Sequence, residues 1–213
     1  MRDKIDTFKA HVREASANPA FNHHVWFVKW HLEIVERIAL ELSEYYPEAD
    51  RDLLEVMAWL HDYGKILDYD NPKQKQLTLS EGRKKLLELG FAPDFVERAI
   101  ANIDLLDQHM TIDIAQTPIE AQIISSADGC SHLTGIFMPV FWNFETDATF
   151  KDRTYTELMA GNAKKARKDW ERKILLPEAR RAFGWRYRAI LEQSGDLPEK
   201  FLAPPPEVAD GVH

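Results

Sequence analysis

Residues Trp59–Asp70 read WLHDYGKILDYD. An apolar helical pattern runs into this stretch and meets His61 and Asp62 side by side, followed by Gly64 and Lys65. Leu53, Leu54, Met57, Ala58 and His61 recur at helical spacing, so the His-Asp pair sits where a helix ends. Asp50 and Asp52 suit the first turn of that helix, and Gly64 suits its C-terminal exit. Consecutive residues on a regular helix diverge by about 100°. Both side chains therefore reach one ion more easily where the helix unwinds.

Outward from this stretch the chain reads as helical nearly throughout. From Asn22 to about Tyr45, His24, Phe27, Val28, His31, Ile34, Val35, Ile38 and Leu42 form one apolar stripe that contains two histidines. Pro47 closes it. Residues 68–79, DYDNPKQKQLTL, read as a loop, and SEGRKKLLELG reads as a helix opened by Ser80 and stopped by Gly90. Another helix starts at Pro93 and runs towards His109. The segment TPIEAQIISSADGCSHLTG predicts a helix with Thr117 as N-cap, Pro118 at the first position and Glu120 completing a capping box. Asp128 then falls in its third turn, with Ile124 and His132 four residues to either side on the same face. Residues 134–152, rich in Phe, Trp and Gly, read as irregular but buried. A long helical segment follows from about Tyr155 to Gln193, broken at Pro177. No alternating strand pattern is long enough to build a sheet, so the expected class is all-α. The expected organisation is a helical core over residues 1–150, a helical extension packing on it over 151–195, and a Pro-rich tail over 196–213.

Composition narrows the function. The 213 residues are 45% hydrophobic and 29% charged, enough for one sizeable core. A net charge of -8 argues against a general nucleic-acid binder. Charge is uneven, however: Lys164 to Arg188 holds ten Lys or Arg against three acids. Cys130 is the only cysteine, which excludes an intrachain disulfide and favours a reducing compartment. The opening MRDKIDTFKA has no apolar core of signal-peptide length, and no run approaches about 18 apolar residues. A cytoplasmic protein with no membrane partner is expected.

His31 and Asp128 each place a metal-competent group on an otherwise apolar helical face, where burial without a partner costs several kcal/mol on apolar transfer scales. A shared divalent ion satisfies such groups. Two imidazoles and two carboxylates suit Mn, Fe, Co, Ni, Zn or Mg, and they leave coordination positions for water and a phosphate oxygen. Structural zinc would more often use cysteines.

These residues resemble the HD-domain metal-dependent phosphohydrolases, an all-α family whose signature is H...HD...D. The matching positions are His31 in KWHLEIVERIA, His61 and Asp62 in LHDYGK, and Asp128 in EAQIISSADGC, with intervals of 30 and 66 residues. HDYGK is also similar to the common HDIGK form, and the resemblance covers roughly residues 22–135. It implies that His31, His61, Asp62 and Asp128 hold one divalent cation that activates a water against phosphorus. Asp62 would also orient that water. Lys65 would contact a phosphate oxygen, or else counter the helix dipole. The implied substrate is a small phosphorylated compound, with a nucleotide favoured and nucleic acid disfavoured.

Other residues stay open at this level. His109 has a place beside the pocket in such proteins, and His24 and His132 either reach a substrate or second ion or pack as rim residues. The basic segment is either a solvated face whose Trp170, Ile174, Leu175, Phe183, Trp185 and Tyr187 dock on the core, or a phosphate-binding arm. In the second case Lys164, Lys165, Lys168 and Arg172 lean over the metal, Lys164 and Lys168 foremost. Two other functions compete. HD-type diiron oxygenases place two more histidines between the HD pair and the last aspartate, where this chain has only His109. A catalytically silent metal-bound module is the alternative from another class.

Overall fold

A computed structural model of the chain describes residues 1–108, 112–134 and 154–200. Among these residues all regular structure is helical. Helix α1 is Arg2–Ser16, α2 is Glu33–Leu42, α3 is Arg51–Leu60, α4 is Tyr63–Leu67 and α5 is Gln74–Glu88. Helix α6 is Pro93–Asp107, α7 is Ile119–Ser131, α8 is Tyr155–Arg172 and α9 is Pro177–Gln193. Helix α2 packs on α3 and α7, α5 on α4 and α6, and α1 on α3 and α4. Helices α8 and α9 pack on each other and both touch α7. Trp59, Leu53, Leu54, Met57 and Leu60 are fully buried, so α3 is the centre of the bundle. Removing apolar surface of this kind from water is the main drive to fold, worth roughly 1.5–3 kcal/mol per large side chain. No helix among the described residues is long and apolar enough to cross a membrane.

Several local signals act as read. Asp50 caps α3 by accepting from Leu53 N–H at 3.1 Å, and Pro93 and Pro177 sit in the first turns of α6 and α9. Three expectations are corrected. Residues 74–79, read as loop, are the first turns of α5, and Ser80 lies inside that helix rather than opening it. The polar run KQKQ hides the helical stripe, and the helix is held instead by tertiary contact: Thr78 Oγ1 accepts from Gly64 N–H at 2.9 Å. Gly64 does not end a helix. It lies buried in α4 with no positive φ, and a Cβ there would fall 2.0 Å from Gln74 O. Its missing side chain lets α4 and α5 touch. The capping box at Thr117 does not form either, because Thr117 Oγ1 donates to Ile114 O at 2.7 Å and Glu120 accepts from Asp50 N–H at 3.1 Å. Pro118 takes the N-cap position of α7. A capping box does open α8, between Thr154 and Glu157. Residues 135–152 of the segment read as irregular, and residues 201–213 of the tail, lie outside the described residues.

Candidate metal centre

Three elements converge on one point. His31 enters from a π turn, Val28–Leu32, that precedes α2. The widened turn resets the helical register, so His31 is 2% exposed while its neighbours Lys29 and Trp30 face solvent. It also separates His24 from the site: His24 falls in the turns before it and bonds Phe21 O through Nδ1 at 2.9 Å. His61 and Asp62 occupy the break between α3 and α4, where Asp62 leaves helical geometry with φ -114° and ψ 17°. That break is what allows adjacent side chains to point at the same place. Asp128 comes from α7.

His31 Nε2 lies 3.1 Å from His61 Nε2. Asp128 Oδ1 is 3.7 Å and 3.8 Å from these two nitrogens, and Asp62 Oδ2 is 3.4 Å and 3.7 Å from them. Ligand atoms of His31, His61 and Asp128 all lie within 4.8 Å of one another.

The tautomers follow from the outer nitrogens. His61 Nδ1 meets the carbonyl of Ala58 at 2.9 Å, so Nδ1 carries the proton. The Ser131 hydroxyl donates to Asp128 O at 2.7 Å and accepts from His31 Nδ1 at 3.0 Å. Both Nε2 atoms thus turn lone pairs inward, toward two carboxylates. Four acceptors facing one another suit a cation between them, and outer hydrogen bonds that fix imidazole tautomers are the usual support of a histidine-bound metal. The residues fit a divalent ion, held by His31, His61 and Asp128 with Asp62 beside them.

Protonation agrees with this. Burial pushes the His31 imidazole down to about 4, so it is neutral at physiological pH. Burial works to raise both aspartates, yet the Lys65 ammonium holds the Asp62 carboxyl well below its usual range, and the Lys173 ammonium does the same for Asp128. Lys65 Nζ lies 2.7 Å from the oxygens of Asp62. Lys173 Nζ lies 2.5 Å from Asp128 Oδ2.

Lys173 reaches Asp128 because α7 has a face of small residues. Ser125 and Ser126 donate to Lys173 O at 3.2 Å and 3.3 Å, and Arg180 Nε donates to Ile174 O at 2.6 Å. A Cβ on Gly129 would lie 2.7 Å from Ile174 Cγ1, so glycine lets the α8–α9 turn press on α7. His132, one turn after Asp128, stacks on His31 with ring centroids 5.3 Å apart. Its Nε2 is 3.5 Å from Asp128 Oδ1, and its Nδ1 donates to the fully buried Asp169 at 3.0 Å.

Two cavities flank the cluster. One, of about 290 Å³, is lined by Lys65, Lys75, Lys165 and Lys173 together with His61 and Asp128. The other, of about 260 Å³, is walled by His23, Trp26, Phe27 and Tyr69 and shares Asp62, Lys65, Gln74 and His132 with the first. Of the arm residues named from sequence, Lys164 and Lys168 point to solvent on α8 and line neither cavity. Lys165 and Lys173 line the first. They share a face with Asp169, four residues from each, which no pattern in a run of lysines reveals. Trp170 and Tyr187 stack at 4.6 Å, and with Ile174 and Phe183 they pack on the core, while Trp185 is exposed. His109 lies outside the described residues.

An all-α bundle that turns two imidazole lone pairs and two carboxylates onto one point is a helical domain with a candidate metal site. Residues 30–133 match the model of the HD domain. HD domains bind divalent metals and generally perform metal-dependent hydrolysis. No curated protein and no solved structure matches the chain.

Proposed function

We propose that this protein is a divalent-metal-dependent phosphohydrolase acting on a small phosphorylated compound, with a nucleotide as the favoured substrate. The observation that carries the reading is the pair of inward lone pairs on His31 and His61, 3.1 Å apart and faced by Asp62 and Asp128. When bound, a divalent ion supplies Lewis-acid chemistry, lowering the pKa of a water and offsetting charge on a phosphoryl group. Asp62 would orient the attacking water, a role supported by its carboxylate bordering the cluster and both cavities. Lys65 holds Asp62 ionised and is close enough to the cluster to meet a phosphate oxygen. The aromatic cavity supports the nucleotide reading, because Trp26, Phe27 and Tyr69 offer faces on which a base can stack. Concave pockets of this size and the net charge of -8 favour a small molecule over nucleic acid. The lone cysteine, buried Cys130, supports work in a reducing compartment such as the cytoplasm.

Elemental analysis of the purified protein, paired with phosphate release from a nucleotide panel after loading with Mn, Co, Ni, Mg or Zn, tests the proposal. About one ion per chain with metal-dependent release supports it, and both should vanish in His61→Ala/Asp62→Ala. Two irons with oxygen uptake and no release would replace it with an oxygenase, and one inert ion with a binding module. If the double variant kept a tight ion, the ligand assignment would be wrong.

A further inference from the structure

We infer that His132 is a third imidazole ligand of the ion, held in place by Asp169 from the arm helix α8. The inference deepens the metal-dependent reading of this site and rests on it for the ion itself. Asp169 lies beyond the matched residues 30–133, so the arm supplies this support from outside the matched segment.

Helical spacing brings His132 to the cluster. It follows Asp128 by one turn of α7 and falls on the same face. Its Nε2 lies 3.5 Å from Asp128 Oδ1, against 3.7 Å for His31 Nε2 and 3.8 Å for His61 Nε2. One carboxylate oxygen therefore has three imidazole nitrogens around it. Ring packing agrees: the His132 centroid stands 5.3 Å from that of His31, and the His61 centroid 5.1 Å. Like Asp62, His132 joins the edge of the triplet formed by His31, His61 and Asp128.

The outer nitrogens follow one pattern. His31 Nδ1 donates to the Ser131 hydroxyl, His61 Nδ1 to the Ala58 carbonyl, and His132 Nδ1 to Asp169 Oδ2 at 3.0 Å. With its proton committed outward, His132 turns the Nε2 lone pair toward Asp128, an arrangement that a cation between the two acceptors satisfies. The Lys165 ammonium, 3.2 Å from Nδ1, opposes a second proton on the ring. A histidine that gives its outer N–H to a carboxylate is the usual form of a supported metal ligand. Asp169 is fully buried, a costly place for a carboxylate, and its position is fixed from two sides. Lys165 Nζ donates to Oδ2 at 2.8 Å, and the backbone N–H groups of Lys173 and Ile174 donate to its carbonyl at 2.8 Å and 2.9 Å, where α8 turns onto α7. A third imidazole also selects the ion: Mg prefers oxygen ligands, whereas Fe, Co, Ni and Zn accept imidazole readily.

Proton NMR of the full-length, Co-loaded protein in water tests this, because each Co-bound imidazole with a protonated Nδ1 gives one strongly shifted, exchangeable signal. The parent should show such a signal for each of His31, His61 and His132. His132→Gln should remove one of them and weaken Co affinity, read by chelator competition, by about 10–100-fold. Asp169→Asn should move that same signal, leave those of His31 and His61 in place and weaken Co binding roughly tenfold. His24→Gln, in the turns before the site, should change neither spectrum nor affinity. A His132→Gln protein that keeps every shifted signal overturns the inference; should that variant unfold, a parent with fewer than three such signals does the same. Phosphate release is measured on the same samples. A signal lost in His132→Gln, with no release from any compound by the parent, keeps the ligand and removes the hydrolase reading; release with an unchanged set of signals does the reverse.

Discussion

Gly64→Ala should destabilise the protein by about 2–3 kcal/mol, through a contact that no local rule anticipates. A Cβ at this position would sit 2.0 Å from Gln74 O and 2.8 Å from both Thr78 N and Thr78 Oγ1. Two of these three atoms are backbone, so α4 and α5 must part. Overpacking of this kind typically costs about 1–3 kcal/mol. Separation also lengthens the hydrogen bond from Gly64 N–H to Thr78 Oγ1, now 2.9 Å, worth about 1 kcal/mol more. Against this, replacing a helical glycine by alanine returns about 0.5–1 kcal/mol of conformational entropy. The net loss corresponds to a drop in Tm of about 5–10 °C for a chain of this size. Guanidinium and thermal unfolding followed by circular dichroism read it directly. Gly161→Ala is the control, since a Cβ in that part of α8 meets nothing within 4 Å; it should stabilise by about 0.5–1 kcal/mol. Asn separates the two roles for Gly64. A helix-ending glycine with positive φ tolerates Asn, whereas the α4–α5 contact makes Gly64→Asn at least as harmful as Ala. Because Asp62 lies two residues away, metal affinity should fall in step. A Gly64→Ala variant within about 0.5 kcal/mol of the parent would refute the close packing of α4 on α5.

Ser131→Ala removes the acceptor that fixes His31 Nδ1, and metal affinity, read by competition with a chromogenic chelator, should weaken by about 10–100-fold; an unchanged affinity would show that the serine does not set the tautomer. Lys9, 8% exposed, pairs with both Glu36 and Glu55 between α1, α2 and α3. Lys9→Ala should cost about 1–3 kcal/mol by removing the cation shared by Glu36 and Glu55, which keep Trp59 and Arg2 as partners, and no measurable loss in a denaturant titration would place the pair among those that contribute little. Glu55 supplies a pH test. Burial opposes its ionisation, but hydrogen bonds from Arg2 and Lys9 bring it down from 4.5 to about 2. A depressed folded-state value means the ionised form is favoured by folding, so this stability is full above pH 4.5 and is lost as pH falls towards 2. Glu55→Gln should therefore flatten the acid limb of the stability curve over that window, and an unaltered slope would contradict the assignment.

Much of this protein was written locally. Apolar spacing gave helices, Asp50, Pro93 and Pro177 marked where three of them begin, and the H...HD...D order brought out His31, His61, Asp62 and Asp128. These signals survive because they depend on neighbours within a few residues, or on side-chain chemistry with few other uses. What failed did so where a distant partner outbid a near one. Thr117 and Glu120 satisfy a local capping pattern on paper, but Glu120 finds the backbone of Asp50 instead. The start of α5 was masked by polar residues and is fixed by Gly64 across the α4–α5 contact. The π turn at His31 resets a register that straight-helix spacing assumes, which is why His24 and His31 part company.

The chain by itself therefore determined an all-α bundle and the candidate ligands on it, because helix periodicity and metal-competent residue types are properties of short segments. Only the tertiary structure decided what surrounds those ligands. Ser131 reaches His31 across 100 residues of sequence, and Lys173 reaches Asp128 across 45. Which lysine of a basic run turns inward depends on the face of α8 that docks, and docking depends on Ser125, Ser126 and Gly129 of α7 leaving room for it. Such contacts are set by the packing of whole helices, a long-range balance of shape and charge that no window of the sequence contains.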